Sequence, residues 1–590
     1  MKQAEANALR AMLLVRSLLA HGIRDFVLSP GSRNTPLILA LESMAEQTDG
    51  LVLHRILDER SAAFFALGLG RASGRPAPLV CTSGSAGAHY LPAVIEADQS
   101  HVPMMILTAD RPAELHGCGA LQTVEQEGFF GSHTRLAYSF QAPTADEAGL
   151  STWLAAAIAR AMDACVGAKP GPVHLNLPFR EPLWDSCVDY TDVAADVSFP
   201  SVTRSVAALS ESAAERLRTM VDDVSRVVIV AGPMHGPRAQ DAQALRTQIA
   251  GVARTRGWPI IAEPDSGLRF GPAVDDVVMS TADLFLREQS VCRALAPELV
   301  IRIGLTPTSK PVRHWLRDHA REAVILVDEF GSWQDPDHVA RELVVADAQS
   351  FVDACLTLNG ATRPEQHWLG LWRVAEQTAR SELERLGDLE TWEGGAARAL
   401  VRTLPRGALI HVANSMPIRD LDGFGEHRSE VLEVFSNRGA NGIDGMLSTA
   451  AGEAVARGAS LVALSGDLSV LHDLSGLSVA RDAHASLTLA VMDNRGGGIF
   501  EHLPIAKHPS AFEKNFITPH EVDIAELVRP MGIRAVSVES IEDFSAAIID
   551  EVERPGLGVV VLRVDRNVNT TRHRMVWEQV GQRVRRELER

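Results

Sequence analysis

Short apolar runs alternate along the chain with segments of helical periodicity. In the first third, the pattern predicts strands at 25–28, 51–57, 78–81 and 102–109, with an Ala- and Leu-rich helix at 59–70. The alternation resumes in the middle third with RVVIVAG, LVIRIG and AVILVD, and in the last third with ALIHVAN, VLEVFSNRG, LVALSGD, LTLAVMDN and GVVVLRVD. Continuous apolar runs are typical of parallel strands buried on both faces, and strands that alternate with helices form doubly wound sheets. The pattern therefore predicts an α/β protein.

Two stretches that interrupt this alternation of strands and helices divide the chain into three parts. A linker is expected between about 184 and 212, and a polar, helix-prone connection runs from 361 to 395. A chain of 590 residues is also too long for a single hydrophobic core. We predict three doubly wound parallel-sheet domains, at about 1–190, 205–360 and 390–590, and the first and last of them look alike in architecture.

Composition limits the classes of partner. The formal net charge of −18 argues against a nucleic-acid surface, and it means that any anionic substrate needs a local concentration of cations. The six cysteines are scattered without metal-type pairs, which favours reduced thiols and a cytoplasmic protein. The N-terminal stretch has the apolar face of a helix rather than a cleavable signal pattern, and no apolar run reaches the roughly 18 residues of a membrane span.

The ends of two predicted strands carry the most informative polar residues. One apolar run ends at Gly466 and Asp467, and the next ends at Asn494, which is followed by Arg495 and Gly496. Parallel strands place ligands at their carboxyl ends, so Asp467 and Asn494 are expected to face one point. A carboxylate, an amide oxygen and a backbone carbonyl such as that of Gly496 suit Mg²⁺ or Mn²⁺. An ordinary turn of a doubly wound sheet also accounts for glycine and aspartate here.

Glu59 lies where a predicted strand meets an apolar helix. A carboxylate at this position stabilises a helix N-terminus through the helix dipole. The alternative is a buried carboxyl group with a raised pKa, which exchanges a proton with a heterocycle nitrogen. Local sequence leaves both interpretations open.

Together these residues resemble the diphosphate–metal motif of thiamine-diphosphate enzymes, in which GDx is followed after twenty-five residues by Asn. The family usually has Gly where Leu468 stands and Asn where Asp493 stands. The resemblance implies thiamine diphosphate as cofactor, Glu59 as the catalytic residue at its pyrimidine, and active sites shared between the subunits of a homodimer or homotetramer. The implied cofactor-binding residues are Glu59, Ile443, Gly466, Asp467, Leu468, Ser469, Asn494 and Ile499, with the metal held by Asp467, Asn494 and Gly496.

Further motifs are similar to the 2-succinyl-5-enolpyruvyl-6-hydroxy-3-cyclohexene-1-carboxylate synthases of menaquinone biosynthesis. They run in order along the chain as SPGSRNTPL (29–37), LTADRPAEL (107–115), CGALQT (118–123), PTSK (307–310), NSMPIRD (414–420), SNRGANGIDG (436–445) and GGGIF (496–500). The resemblance implies decarboxylation of 2-oxoglutarate and conjugate addition of the succinyl unit to isochorismate.

Both implied substrates are dicarboxylates, and arginine binds carboxylates through two parallel donors. By position, Ser415 and Arg419 match residues that hold the distal carboxylate derived from 2-oxoglutarate. The other implied substrate-binding residues are Arg33, Arg111, Gln122, Lys310, Arg438 and Phe500. Each cation taken alone is also consistent with a solvated surface residue. Two positions depart from the family pattern, since Leu121 stands where Asn is frequent and Asn441 where Ser is common.

Other functions remain as alternatives. The chain has no GKS/T phosphate loop, no HExxH and no CxxC, and its GPMHGP segment is interpreted as a plain turn. Another thiamine-diphosphate enzyme, such as an acetohydroxyacid synthase or a 2-oxo acid decarboxylase, needs no comparable set of arginines. A regulatory homologue that binds ligands without catalysis needs no intact Glu59, Asp467 and Asn494.

Overall fold

The computed structural model describes residues 2–144, 150–190, 198–203, 209–234, 242–272, 276–356, 366–387 and 390–590. It contains three sheets in which every pair of neighbouring strands is parallel. Tertiary contacts divide the chain into two compact units. Unit 1 comprises residues 1–205, 437–459 and 472–485, and unit 2 comprises residues 206–436, 460–471 and 486–590.

The first sheet has six strands in the order β2-β1-β3-β4-β6-β5. Its strands are β1 (Asp25–Leu28), β2 (Val52–Arg55), β3 (Leu79–Cys81), β4 (Met104–Asp110), β5 (Leu136–Ser139) and β6 (Pro172–Pro178). The helices of this part of the chain are α1 (Gln3–Ala20), α2 (Thr35–Ala45), α3 (Glu59–Ser73), α4 (Leu91–Gln99) and α5 (Leu150–Val166). β4 and β6 are buried along their whole length, as expected for central parallel strands covered on both faces.

The second sheet has five strands in the order β11-β10-β9-β7-β8. They are β7 (Val227–Ala231), β8 (Ile260–Ala262), β9 (Leu299–Ile303), β10 (Val324–Val327) and β11 (Ala340–Val344). The accompanying helices are α6 (Glu211–Asp222), α7 (Ala242–Arg256), α8 (Ala282–Phe285), α9 (Gln289–Ala294), α10 (Lys310–His319), α11 (Ala348–Cys355) and α12 (Gln366–Leu386). The predicted polar connection thus contains the long helix α12.

The third sheet has six strands in the order β13-β12-β14-β15-β17-β16. They are β12 (Leu409–Val412), β13 (Glu433–Ser436), β14 (Leu461–Gly466), β15 (Leu487–Asp493), β16 (Arg534–Val538) and β17 (Leu557–Arg563). The helices are α13 (Glu393–Thr403), α14 (Met416–Phe424), α15 (Met446–Arg457), α16 (Asp467–His472), α17 (Leu474–Asp482), α18 (Pro509–Phe512), α19 (Ile524–Val528), α20 (Ile541–Val552) and α21 (Arg566–Leu588).

The first and third sheets share one topology, because numbering each from its first strand gives the same order, 2-1-3-4-6-5. The predicted likeness of the first and last thirds and the predicted α/β class with three parallel sheets are therefore confirmed. The predicted boundaries at 1–190, 205–360 and 390–590 stay predictions. Parts of the expected linker and of the GPMHGP loop lie outside the described residues.

Within unit 1, α15 packs against α3 at glycine contacts. A Cβ atom on Gly68 would overlap the carbonyl oxygen of Thr449, and one on Gly452 would overlap that of Phe65. The two helix backbones therefore touch, which only glycine permits. Since α15 follows directly on residues 437–445, this contact fixes the end of a loop that carries several predicted site residues. No helix in the described ranges has the length and hydropathy to cross a bilayer.

Candidate active site

In unit 2, the predicted strand ends do meet. β14 ends at Gly466 and β15 at Asp493, and the two strands pair in register with Gly466 opposite Met492. Asp467 and Asn494 therefore leave neighbouring strands at the same edge of the third sheet. Leu468 and Ser469 lie in the first turn of α16, which begins at Asp467.

The Asp467 carboxylate connects three segments. Its Oδ1 accepts a hydrogen bond from the Leu468 amide at 2.6 Å, and its Oδ2 accepts from the Gly496 amide at 2.8 Å. The Nε2 atom of His520 lies 3.1 Å from the same Oδ2. Burial raises the pKa of Asp467 to about 6, and the nearby charge of Asp493 adds to the rise. Both effects disfavour the ionised form of this carboxylate, and a bound cation offsets them.

The two polar atoms of the Asn494 side-chain amide differ in their hydrogen bonding. Its Nδ2 donates a hydrogen bond to a carboxylate oxygen of Glu393. Its Oδ1 is buried, and no partner for it exists among the described residues. An unpaired buried acceptor is uncommon and points to a missing ligand. Carboxylate and amide oxygens are the ligands preferred by Mg²⁺ and related hard cations, so these residues fit a divalent metal ion.

The side chains of Asp493 and His520, which are of types that bind metals, lie close to Asp467. Oxygen or nitrogen atoms of Asp467, Asp493 and His520 all lie within 4.8 Å of one another. We call Asp467, Asp493, Asn494, Glu393 and His520 the Asp467 cluster. His520 and Glu393 were not predicted, because neither stands beside a recognisable strand end in the sequence.

Gly496 lies beside Asp467 at this edge of the third sheet. Its amide is held by Asp467, and its carbonyl oxygen accepts from the Gly498 amide at 3.0 Å. A Cβ atom at Gly496 would lie 2.7 Å from the carbonyl oxygen of Ile517, so only glycine fits. Ile499 and Phe500 follow in a short 3₁₀ turn, where the Phe500 ring packs edge-on against Phe516.

A buried ionisable network adjoins Glu393. The Nε2 atom of His573 lies 2.7 Å from Oδ1 of Asp420, and both side chains are buried. Burial and the charge of Asp420 raise the pKa of Glu393 to about 7. Asp420 belongs to α14, the helix that carries Arg419, so this network links the metal-type ligands to the predicted substrate helix.

Ser415 and Arg419 are brought together as predicted. Ser415 precedes α14 with a left-handed φ of 73°, and the Arg419 guanidinium donates to its carbonyl oxygen. The hydroxyl of Ser415 forms no capping hydrogen bond with α14, and Arg419 is exposed. Ser415 thus stands at the N-cap position of α14 without capping the helix through its side chain. Lys310, the first residue of α10, is also exposed.

Unit 1 carries two of the predicted arginines just after β1 and β4, the two strands that flank β3. Arg33 follows β1 and is buried, with its Nη1 donating to the Phe179 carbonyl at 3.0 Å. Arg111 follows β4, and its Nη1 donates to the hydroxyl of Ser83 and to the carbonyl of Gln122 at 3.2 Å. Burial lowers the pKa of Arg111, and the charge of Arg33 lowers it further.

The sheet order accounts for the placement of both arginines at the same edge of the sheet, because only β3 lies between β1 and β4. Arg33 is already paired with the exposed carboxylate of Glu181 at 2.9 Å, and an anionic ligand would add to the compensation of the two cations. The loop beside them is open to solvent. Gln122 is exposed with a left-handed φ of 52°, and Leu121 is 86% exposed.

Glu59 is the first residue of α3, but it does not cap the helix. That role belongs to Asp58, whose side chain accepts from the amides of Arg60 at 2.9 Å and Ser61 at 3.4 Å. Glu59 is partly exposed in the single chain. Asp58 therefore supplies the side-chain cap, and Glu59 stands in the first turn of α3, where the helix dipole still favours its charge.

The loop 437–445, which carries Arg438, Asn441 and Ile443, is anchored by buried charges in unit 1. Glu96 of α4 accepts from the amides of Gly439 at 2.9 Å and Ala440 at 2.6 Å. Arg71 of α3 donates to Glu96 at 3.2 Å and to Asn437 at 2.5 Å, and it lies 3.6 Å from Glu453. We call Arg71, Glu96, Asn437 and Glu453 the Arg71 cluster.

Three sequence-family models match successive parts of the chain. Residues 10–129 match the family "Thiamine pyrophosphate enzyme, N-terminal TPP binding domain", residues 202–411 match "Middle domain of thiamine pyrophosphate", and residues 427–562 match "Thiamine pyrophosphate enzyme, C-terminal TPP binding domain". Together with three parallel sheets and the ligand set at the ends of β14 and β15, these matches define a thiamine-pyrophosphate enzyme. The predicted cofactor, thiamine diphosphate, is confirmed at this level.

Similar proteins of known name narrow the class of enzyme. A 2-succinyl-5-enolpyruvyl-6-hydroxy-3-cyclohexene-1-carboxylate synthase from Geobacillus kaustophilus is 39% identical over 99% of this chain and 100% of its own length. Synthases of the same name from Chloroflexus aurantiacus (40% identical, covering 96% of this chain and 95% of theirs) and Myxococcus xanthus (39%, covering 98% of both) agree. The chain belongs to the 2-succinyl-5-enolpyruvyl-6-hydroxy-3-cyclohexene-1-carboxylate synthase family.

Proposed function

We propose that this protein decarboxylates 2-oxoglutarate and adds the succinyl unit to isochorismate, giving 2-succinyl-5-enolpyruvyl-6-hydroxy-3-cyclohexene-1-carboxylate in menaquinone biosynthesis. The observation that carries the proposal is the pair of guanidiniums of Arg33 and Arg111, which follow the two strands on either side of β3. In a protein with a formal net charge of −18, an anionic substrate needs local cations of this kind. Thiamine-diphosphate enzymes that act on monocarboxylic acids need no such pair.

The Asp467 cluster supports a divalent cation, Mg²⁺ or Mn²⁺, as the partner of the cofactor diphosphate. Asp467, the Oδ1 of Asn494 and the carbonyl of Gly496 would hold the ion, since all three offer hard oxygen atoms. The amides of Leu468 and Ser469, with Gly466, would face the diphosphate. Ile443 and Ile499 would contact the organic part of the cofactor. Thiamine diphosphate supplies an electron sink for loss of CO₂ from a 2-oxo acid.

The remaining residues bind and orient substrates. Glu59 would hold and move a proton at the pyrimidine nitrogen, in line with its free carboxyl group beside the Asp58 cap. Ser415 and Arg419 would bind the distal carboxylate of 2-oxoglutarate, because the hydroxyl of Ser415 is not used in capping. The isochorismate side would be formed by Arg33, Arg111, Gln122, Lys310, Arg438 and Phe500. Such positioning accounts for much of the rate in enzymes whose cofactor carries the chemistry.

The assembly we infer is a homodimer or homotetramer with active sites at subunit interfaces. Glu59 lies in unit 1 and Asp467 in unit 2. All six cysteines lie in the described residues and are free thiols, in keeping with a reducing, cytoplasmic setting. Sedimentation equilibrium of the cofactor-loaded protein measures the number of subunits.

One assay tests the proposed reaction. Purified protein is incubated with thiamine diphosphate, Mg²⁺, 2-oxoglutarate and isochorismate, and the products are identified by mass. We expect CO₂ release and a product that joins the succinyl unit to isochorismate. CO₂ release without a joined product would favour a plain decarboxylase, and neither product would favour a non-catalytic homologue. Each of these two results would overturn the proposal.

A further inference from the structure

The amide of Asn494 has two chemically different ends, and the structure determines which of them stays available. Its Nδ2 donates to a Glu393 oxygen, while Oδ1 is buried without a partner among the residues described. Only the oxygen has lone pairs for a cation, because an amide nitrogen is a donor. Rotation of the amide by half a turn would therefore remove the metal-binding atom from the site.

Glu393 is well placed to prevent that rotation. It is the first residue of α13, and its backbone N–H donates to Oδ1 of Asn569 in α21 at 3.0 Å. Its side chain is buried. The preceding residue, Trp392, packs edge-on against the rings of Phe424 at 4.8 Å and His573 at 4.9 Å. Three packed elements, α13, α14 and α21, thus fix the position of the Glu393 oxygen.

The chemistry of the pair favours a single orientation. The Glu393 oxygen that faces Asn494 is an acceptor, so it attracts the Nδ2 donor. A rotated Asn494 would place its own oxygen against that acceptor and would leave Nδ2 pointing away. The structure shows Nδ2, not Oδ1, directed at the Glu393 oxygen. Glu393 therefore selects the orientation in which Oδ1 is left for a ligand.

We propose that Glu393 is a positioning residue, which orients the Asn494 amide for the divalent cation of the cofactor site. The inference rests on the proposed function, because it takes Asn494 as a metal ligand. Groups that orient a metal ligand change metal affinity by about 10–100-fold when they are replaced. We expect an effect of that size at Glu393, although its side chain does not bind the ion.

The test measures Mn²⁺ affinity of the full chain at saturating thiamine diphosphate, using the electron paramagnetic resonance signal of free Mn²⁺. Glu393→Leu removes the acceptor and should raise the Kd for Mn²⁺ by about 10–100-fold. Glu393→Gln keeps an oxygen acceptor and should bind Mn²⁺ nearly as well as the wild type. If the leucine variant does not fold, as judged by circular dichroism, Glu393→Met provides a second side chain without an oxygen acceptor.

Two further variants separate the causes. Asn494→Ala removes the ligand, and combining it with Glu393→Leu should then weaken Mn²⁺ binding no further, because coupled residues are not additive. Glu376→Gln is the matched control. Glu376 is a buried carboxylate of unit 2 that accepts hydrogen bonds from Ser280 and Thr281, so its replacement disturbs folding without touching Asn494.

Wild-type Mn²⁺ affinity in both Glu393→Leu and Glu393→Met would overturn the role of Glu393 while leaving the metal site intact. An equal loss of affinity in Glu376→Gln would also overturn it, because the effect would then be general destabilisation. If Asn494→Ala itself binds Mn²⁺ normally, the proposed metal site fails, and the inference about Glu393 fails with it.

Discussion

The Arg71 cluster in unit 1 and the Asp467 cluster in unit 2 both bury carboxylates, but the two clusters differ in which groups balance the negative charges. In the Arg71 cluster, Glu96 and Glu453 face the guanidinium of Arg71, and Glu96 also accepts two backbone amides. In the Asp467 cluster, Asp467, Asp493 and Glu393 form no ion pair with a lysine or arginine of the described segments. The Arg71 cluster thus contains an arginine that balances its carboxylate charges, whereas no lysine or arginine in the described ranges balances those of the Asp467 cluster.

The difference indicates two kinds of role. Removing a carboxylate from water is costly unless a counter-charge or several hydrogen bonds replace the water. A cluster that supplies its own counter-charge is complete without a ligand and anchors the chain, here the loop 437–445. A cluster that lacks one gains stability when a cation binds. Compensation, rather than burial or acidity alone, therefore distinguishes the anchor from the candidate metal site.

The largest expected effect is at the anchor. Arg71→Met leaves Glu96 and Glu453 buried without their counter-charge, and breaking a buried pair in this way costs about 3–5 kcal/mol. Hydrogen exchange, followed by mass spectrometry on peptides from α3 and from 437–445, should show a matching loss of protection. Peptides from the sheets of unit 2 should exchange as in the wild type.

Arg60→Met is the matched control on the same helix, because Arg60 is only half-buried and donates to Ser475 at a long 3.4 Å. Its effect should stay within about 1 kcal/mol. Unchanged protection in Arg71→Met, or equal losses in the two variants, would show that the buried charges of unit 1 do not anchor this loop.

A compensated carboxylate in unit 2 tests whether compensation or location matters. Burial by itself raises the pKa of Glu376, but the hydrogen bond and charge of His427 and the hydroxyls of Thr281 and Ser280 bring that pKa to about 2. Because this folded-state pKa is below the ordinary value near 4.5, the carboxylate stabilises the fold above about pH 4.5. That stability is lost as the pH falls toward 2.

Glu376→Gln should therefore be less stable than the wild type by about 3 kcal/mol at pH 7, since one pKa unit corresponds to about 1.4 kcal/mol. The difference should shrink as the pH is lowered from 4.5 to 3. Urea unfolding followed by tryptophan fluorescence at each pH measures it. A difference that is constant with pH would mean that the Glu376 charge is not what stabilises this part of unit 2.

The uncompensated cluster should respond in the opposite way. Asp467→Asn removes a buried charge without a counter-ion, so the cofactor-free protein should be as stable as the wild type or more stable. Stabilisation by thiamine diphosphate with Mg²⁺ should be lost, which amounts to about 2.7 kcal/mol at a ligand concentration one hundred times the wild-type Kd. Thermal unfolding with and without the cofactor measures both quantities. A normal cofactor-induced shift would make Asp467 a simple turn residue.

The parts of the fold that sequence could predict are those with local signals. Buried parallel strands are continuous apolar runs, so β14 and β15 were recognisable, and Asp467 and Asn494 follow directly from their ends. The meeting of Arg33 with Arg111 was less accessible, because it depends on β1, β3 and β4 being neighbours in the sheet. Strand order is set by tertiary packing and leaves no mark near either arginine.

The residues that were missed make contacts at long sequence separation. Glu393 lies 101 residues from Asn494, His520 lies 53 from Asp467, and Glu96 lies 343 from Gly439. Each looks like an ordinary surface residue in its own segment, since acidic residues are common in helices and their first turns. Only the folded chain shows that Glu393 and Glu96 are buried, and which polar groups these two residues and His520 meet.

The smallest effect is expected outside both clusters, at an exposed apolar residue beside the arginines of unit 1. Leu121 is 86% exposed, and the next residue, Gln122, accepts from Arg111 through its carbonyl oxygen. Leu121→Asn adds a polar group there without filling or emptying a core, so stability should change by less than about 0.5 kcal/mol. One added hydrogen bond is worth about 0.5–1.5 kcal/mol, which corresponds to a KM for isochorismate about 2–10-fold lower. CO₂ release from 2-oxoglutarate alone should not change. The control is Val124→Asn, at an exposed position three residues away, which should change neither the stability nor the KM for isochorismate.

If Leu121→Asn leaves the KM for isochorismate unaltered, the exposed surface beside Arg111 does not contact that substrate. Isochorismate would then meet the cations of unit 1 only through their buried surfaces.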